Sequence, residues 1–297
     1  MDPKTLFICN LAISVLLGVA LLFFRYKQKT YPGFGLWVAS TFFVAAGYFS
    51  SLLRLAGPEF LSIALNNLFF TLTALFRLAG VVRFLKDRRI HRAWYFVVPL
   101  SELTAISYLY LAVDWFAMRV LILSLLLTSI AVAMAYVFFK HRMAGSALLY
   151  RGMGWLCLSF GAIFMIRAVT LFSARTSDMF TPQIGQQLYL LAIVLIEIAW
   201  SMGFLMMNSK RMEDELRASQ DTLTHTVSKL EKSLAEIKTL SGLLPICAHC
   251  KKVRNDQGYW QQIEVYVTEH SSADFSHGIC PDCARKLYPE LNLEKLK

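Results

Sequence analysis

Seven apolar stretches, each about as long as a bilayer core is thick, separate short charged loops and leave this chain few ways to fold. They lie at Thr5–Phe24, Gly35–Leu53, Leu61–Val82, Trp94–Val113, Ala117–Phe139, Leu148–Phe172 and Gln187–Met207. About 20 residues at ~1.5 Å per residue cover a hydrocarbon core of roughly 30 Å. In lipid a single segment satisfies its own backbone only as a helix. The first stretch is expected to stay as a helix and not to be a cleaved leader: its apolar run is long, its M-D-P-K start has no net charge, and no small-x-small site follows it. Composition agrees with a membrane chain. Charged residues are 17% and hydrophobic residues 56%, whereas soluble domains carry about 25% charged residues. With Gly 15, Pro 8 and Cys 6 among 297 residues, collagen-like, disordered and disulfide-dense secreted classes are excluded.

The net charge of +10 does not indicate nucleic acid. Residues 1–207 hold 17 basic and 7 acidic side chains, and residues 208–297 hold 13 of each, so the polar tail has no surplus to neutralise phosphates. The excess lies in loops between apolar segments, where it sets orientation. Arg25, Lys27, Lys29, Arg83, Lys86, Arg88, Arg89, Arg92, Lys140, Arg142, Lys210 and Arg211 fall on one side; Lys4, Arg54 and Arg175 fall on the other. The rule predicts an outer N-terminus and a cytoplasmic tail. Trp37, Trp94, Trp115 and Tyr189 near segment ends read as interfacial aromatics.

Past Met207 the chain turns polar. Leu216, Leu223, Leu230, Ile237 and Leu244 recur every seven residues as d positions, with Gln220, Val227 and Leu234 at a. This predicts a short coiled coil, most simply a parallel homodimer; a single docked amphipathic helix is the alternative. Gln220 and the uncharged g positions Ser219, Thr226 and Ser233 weaken the seam. His225 at an f position could suggest a phosphoacceptor, but Thr226 follows it and no ATP-binding lobe does. The chain contains no Walker loop, nucleophile elbow, H-E-x-x-H or dinucleotide fingerprint, and no enzyme activity is expected.

Four of the six cysteines form two C-x-x-C pairs, Cys247–Cys250 and Cys280–Cys283, with 29 residues between the pairs. Two such pairs make a tetrahedral thiolate set, and one structural zinc is the expected cofactor; His249 and His277 are alternate ligands. K-K-V-R, N-D-Q-G and Y-W read as strand, turn and strand, with Gly258 in the turn. Pro281 suits the first position of a helix carrying Cys283. Trp260–His270 reads as an amphipathic helix with Ile263, Tyr266 and Val267 on one face. Zinc binding contributes ~10–16 kcal/mol in small fingers, more than packing gives a module of this size. Redox cycling of the thiols competes with the zinc reading; covalent haem does not, since Lys251 follows the first pair. Cys9 and Cys157 read as small buried hydrophobes inside helices.

Within the membrane, Arg77, Arg119 and Arg151 sit near enough to segment ends to snorkel. Glu102 and Glu197 lie near mid-span and Arg167 in an outer third, so these need partners or water. Arg167, Glu197, Glu102 and Arg119 are the candidate ligand pocket; a structural ion pair, Arg167 with Glu197, is the plainer alternative.

Two regions resemble known families. M-D-P-K-T-L with Y-P-G-F-G-L-W at Tyr31–Trp37 resembles the multi-helix membrane sensor region ahead of bacterial diguanylate cyclase (GGDEF) domains. Leu240–Trp260, with F-S-H-G-I-C-P-D-C at Phe275–Cys283 and K-L-Y-P-E at Lys286–Glu290, is similar to a small cysteine module of bacterial PAS-domain and response-regulator-type proteins. The resemblance implies a signalling protein of the bacterial inner membrane. No GGDEF segment is present, so cyclic-dinucleotide synthesis is not implied. The expected architecture is therefore an all-α seven-helix transmembrane bundle (1–208), a coiled-coil helix (209–243) and a small α+β, treble-clef-like zinc module (244–297). The expected function is a receptor-like sensor that acts on an unknown cytoplasmic signalling partner. A membrane-anchored thiol or zinc redox sensor and a transporter-like protein are the alternatives.

Overall fold

The computed structural model describes residues 2–86, 88–113, 115–141, 147–174, 184–236, 244–271 and 273–290. Arg142, Arg175 and Ile237, named above, lie outside the described residues. The chain divides into two compact units, Met1–Leu216 and Arg217–Lys297.

The seven apolar stretches are helices: α1 (Pro3–Lys27), α2 (Phe34–Leu53), α3 (Glu59–Lys86), α4 (Trp94–Tyr108), α5 (Phe116–Lys140), α6 (Ala147–Ala174) and α7 (Ile184–Glu236), the first six and the start of the seventh in the first unit. Each, the fourth as Trp94–Ala112, is long and apolar enough to cross a bilayer, which makes this a multi-pass membrane protein. Local chemistry sets the ends. Asp2 accepts a hydrogen bond from the Lys4 N–H and Pro3 occupies the first turn of α1, whose last turn carries Arg25 and Lys27. A π-helical turn, Leu109–Val113, continues α4.

Two helices run furthest beyond their apolar cores at the C-terminal end. α3 continues through Arg83 to Lys86, and α7 extends for 53 residues through the polar segment. The polar switch after Met207 is a change of solvent and leaves the helical hydrogen bonding unbroken. The seven-residue beat is carried on α7 as far as Leu234, but Leu244 is not helical.

The main core runs through the bundle and is aromatic at one end. Trp37 stacks on Phe204 at 4.2 Å between ring centroids, and Phe84 packs against Phe204 at 5.1 Å. Trp37 is fully buried and Tyr189 points inward, so neither is an interfacial aromatic; Trp94 and Trp115 are exposed as expected. Cys157 is buried as expected, but Cys9 is exposed.

The start of α2 approaches α3 closely where Gly33 faces Gly80. Gly33 caps α2 with φ +100°, and a Cβ there would meet the Gly80 carbonyl oxygen at 2.3 Å. Gly33→Ala is expected to destabilise the bundle by about 1–3 kcal/mol from the backbone alone, before the clash is counted. Thermal unfolding measures this, and an unchanged midpoint would contradict the close approach.

In the second unit β1 (Val253–Arg254) pairs antiparallel with β2 (Trp260–Gln261), in register Val253 with Gln261 and Arg254 with Trp260. Gly258 supplies φ +88° in the turn, and the Asn255 side chain accepts from the N–H groups of Gln257 and Tyr259. α8 (Ile263–His270) and α9 (Pro281–Leu287) follow. Trp260 belongs to the strand, not to the amphipathic helix, which begins at Ile263; of its expected face only Tyr266 is buried.

Candidate functional site

A cavity of about 100 Å³ lies inside the bundle. It is lined by side chains from α1, α2, α3, α5, α6 and α7 and contains Arg77, Arg119, Arg167 and Glu197. Three of the four expected pocket residues are thus brought together. Glu102 is the exception: it is buried on α4, where its carboxylate accepts the Thr71 hydroxyl hydrogen bond, and it does not line the cavity.

The ion pair at this site is not the one expected. Glu197 pairs with Arg77, and Arg167 does not take part. Both side chains are almost fully buried, at 2% and 6% exposure. Arg77 does not snorkel. It sits nine residues before the end of α3, which is about 13 Å along the axis. Its guanidinium lies over Trp200 at 4.8 Å and Trp37 at 5.6 Å from the ring centroids, and its Nε donates to the Ser40 hydroxyl at 3.4 Å. Aromatic faces and a carboxylate replace water around the charge. Arg119 is also buried, over Tyr110 at 5.0 Å, and does not snorkel, whereas Arg151 is exposed. Arg167 donates from Nη1 to the Tyr189 hydroxyl at 3.1 Å and lies 4.3 Å from that ring centroid.

A set of polar contacts holds α7 where it leaves the bundle. The Asn208 side chain accepts from the Tyr31 N–H at 3.1 Å and donates to the Lys29 carbonyl at 3.3 Å. Arg211 donates to the Phe84 carbonyl at 2.9 Å, and Lys29 pairs with Glu215 at 2.7 Å. Each of these bonds joins α7 to the α1–α2 connection or to the end of α3. Sequence reading missed the clamp because Lys29, Arg211 and Glu215 look like ordinary loop and surface charges.

In the second unit each cysteine pair is built as a turn aimed at sulfur. Lys251 takes φ +60°; its N–H donates to the Cys247 carbonyl at 3.0 Å, while the Cys247 N–H donates to Lys252 at 2.9 Å. The backbone N–H groups of Cys250 and His249, with the Cys250 thiol, hold the Cys247 thiol below the usual range. Cys280 caps α9, and the Cys283 N–H and thiol lower its thiol likewise. Each pair therefore fits half of a four-thiolate zinc site. Among the described residues no group of three His, Cys, Asp or Glu side chains gathers, so the two pairs are not joined and neither His249 nor His277 completes either one. Packing here is sparse: among the described residues only Val253 and Tyr266 are buried, and none on α9.

No family model matches the chain, and no curated protein or solved structure is significantly similar to it.

Proposed function

We propose that this protein is a receptor-like transducer of the bacterial inner membrane, with its tail in the cytoplasm. In this reading the bundle cavity senses a ligand, α7 carries the change inward, and a zinc-bound tail module presents a surface to a signalling partner. The observation that carries the reading is α7 itself. One uninterrupted helix holds Tyr189, Glu197 and Trp200 at the cavity, Asn208 and Arg211 at the clamp, and the heptad leucines beyond them. A displacement at the cavity end of a stiff helix is felt along its length, and a coiled coil has alternative packings through which to express it. The loop-charge asymmetry supports the orientation. The resemblance to a sensor region and to a signalling module rests on the quoted residues alone. The four thiols of these sulfur-directed turns, Cys247, Cys250, Cys280 and Cys283, are the zinc ligands in this reading, with Cys247 and Cys280 held below the usual thiol range, and the ion would supply the staple that the sparse core lacks.

The dimer reading rests on the exposed stripe of α7, where Leu223, Leu230 and Leu234 are each at least 60% exposed and Val227 is 46%. A photo-crosslinking residue placed singly along the helix of the full chain tests it. Crosslinked dimer is expected from Leu223 and Val227 and not from Asp221 or His225, which fall on the opposite face. Crosslinking without this period contradicts the coil. Transmission has its own readout. Tyr189→Phe in the cavity is expected to change the ratio of crosslinking at Leu223 to that at Val227, and an unchanged ratio contradicts coupling through α7.

A further inference from the structure

We propose that the bundle cavity takes a small organic carboxylate, with its charge on Arg167 and its apolar body against the cavity's phenylalanines. The proposal rests on the receptor reading and names the ligand class of that site.

One arginine of the cavity carries the inference. Among the described residues that line it are Arg54, Arg77, Arg119 and Arg167, with Glu197. Arg77 is committed to Glu197 and Arg54 to Glu59. Arg167 differs from both. Among the described residues no carboxylate lies within ion-pair distance of it, and its one hydrogen bond goes to a neutral phenol, Tyr189. Its Nε–H is buried and has no acceptor. A buried N–H on a cation without an acceptor carries a desolvation cost that a ligand oxygen removes. With Nη1 already spent on Tyr189, the Nε edge of the guanidinium remains, and that edge matches a carboxylate. Tyr189 fixes the guanidinium from one side by a hydrogen bond and by its ring face, so the open edge is pre-oriented.

The remaining wall sets the rest of the ligand. Phe7, Phe116, Phe160 and Phe164 line the same cavity. Such a wall suits an apolar body attached to one anionic group. A cation would face the arginines, and a bare polyanion such as phosphate would leave most of its oxygens against phenylalanine. The volume of about 100 Å³ limits the body to roughly one ring or a short chain.

The test uses the full chain in phosphatidylcholine nanodiscs and reads both thermal midpoint and tryptophan fluorescence, since Trp200 lines the cavity. Benzoate is the probe, with benzamide as its neutral isostere, benzylamine as the cation and inorganic phosphate as the bare anion. Benzoate is expected to bind saturably and raise the midpoint, while the other three do neither at equal concentration. Arg167→Gln should weaken benzoate about 10–100-fold with the midpoint of the unliganded protein little changed. If that variant fails to fold, Arg167→Lys keeps the charge but lacks the Nε edge, and a loss of at least ~10-fold is expected. Benzamide or phosphate binding as well as benzoate, no benzoate binding, or full benzoate affinity in the Arg167 variant overturns the proposal. Crosslinking at Leu223 separates this from the receptor reading. Benzoate binding that leaves crosslinking unchanged contradicts transduction and keeps the site, while absent binding contradicts the site and leaves the α7 crosslinking pattern as the test of transduction.

Discussion

Glu197→Ala lowers the stability of the bundle by about 3–5 kcal/mol, because it strands the Arg77 guanidinium in a site with almost no access to water. The arginine cannot relieve this by reaching the membrane surface, since it lies about 13 Å from the end of α3 and packs against Trp37 and Trp200. Removing both charges behaves differently. Arg77→Met with Glu197→Leu keeps the volume and eliminates both desolvated ions, so the double variant recovers most of what the single one loses. Unfolding of the full chain in mixed micelles measures both. Zinc content should be the same in all three proteins. Additive losses in the double variant would mean that the two side chains do not act as a pair.

On the proposed zinc site, removing the metal has the larger expected effect, confined to the tail. A structural zinc contributes ~10–16 kcal/mol in small fingers, while among its described residues the second unit buries only Val253 and Tyr266. A strong chelator should therefore open residues 244–290 to protease while leaving the bundle's thermal transition in place. Cys247→Ser and Cys280→Ser should each abolish stoichiometric zinc, since one ion needs both pairs. Retention of the metal after loss of either pair would show that the pairs serve separate roles, and reversible disulfide formation within a pair at cytosolic potential would favour the redox alternative.

How legible these features were depends on the range of the interaction behind them. The seven helices follow from apolar length alone, and the expected centres of the first six match the observed ones, whereas α7 runs on to Glu236. The hairpin and α9 follow from local chemistry: Gly258 in a turn and Pro281 at a helix start. Helix ends were harder. Arg83 and Lys86 look like a loop, yet they extend α3 and so place Arg77 deep rather than near an edge. Trp260 read both as the end of a strand and as the start of a helix, and its pairing with Arg254 leaves it in the strand. Sequence depth placed Glu197 and Arg167 at nearby levels, but it says nothing of which helix face each occupies. Arg77 reaches Glu197 from 120 residues away and takes the partner assigned to Arg167. Trp37 failed for the same reason: its position near a helix end suggested lipid, and its face turns to Phe204.

Native mass spectrometry of the intact chain released from nanodiscs weighs the staple and the coil together. A particle of two chains carrying two zinc ions, reduced to metal-free protein by Cys247→Ser and to single chains by Leu223→Glu with Leu230→Glu, is the outcome that fits a zinc-bound module beneath a paired helix. A single metal-free chain from the unaltered protein would contradict it.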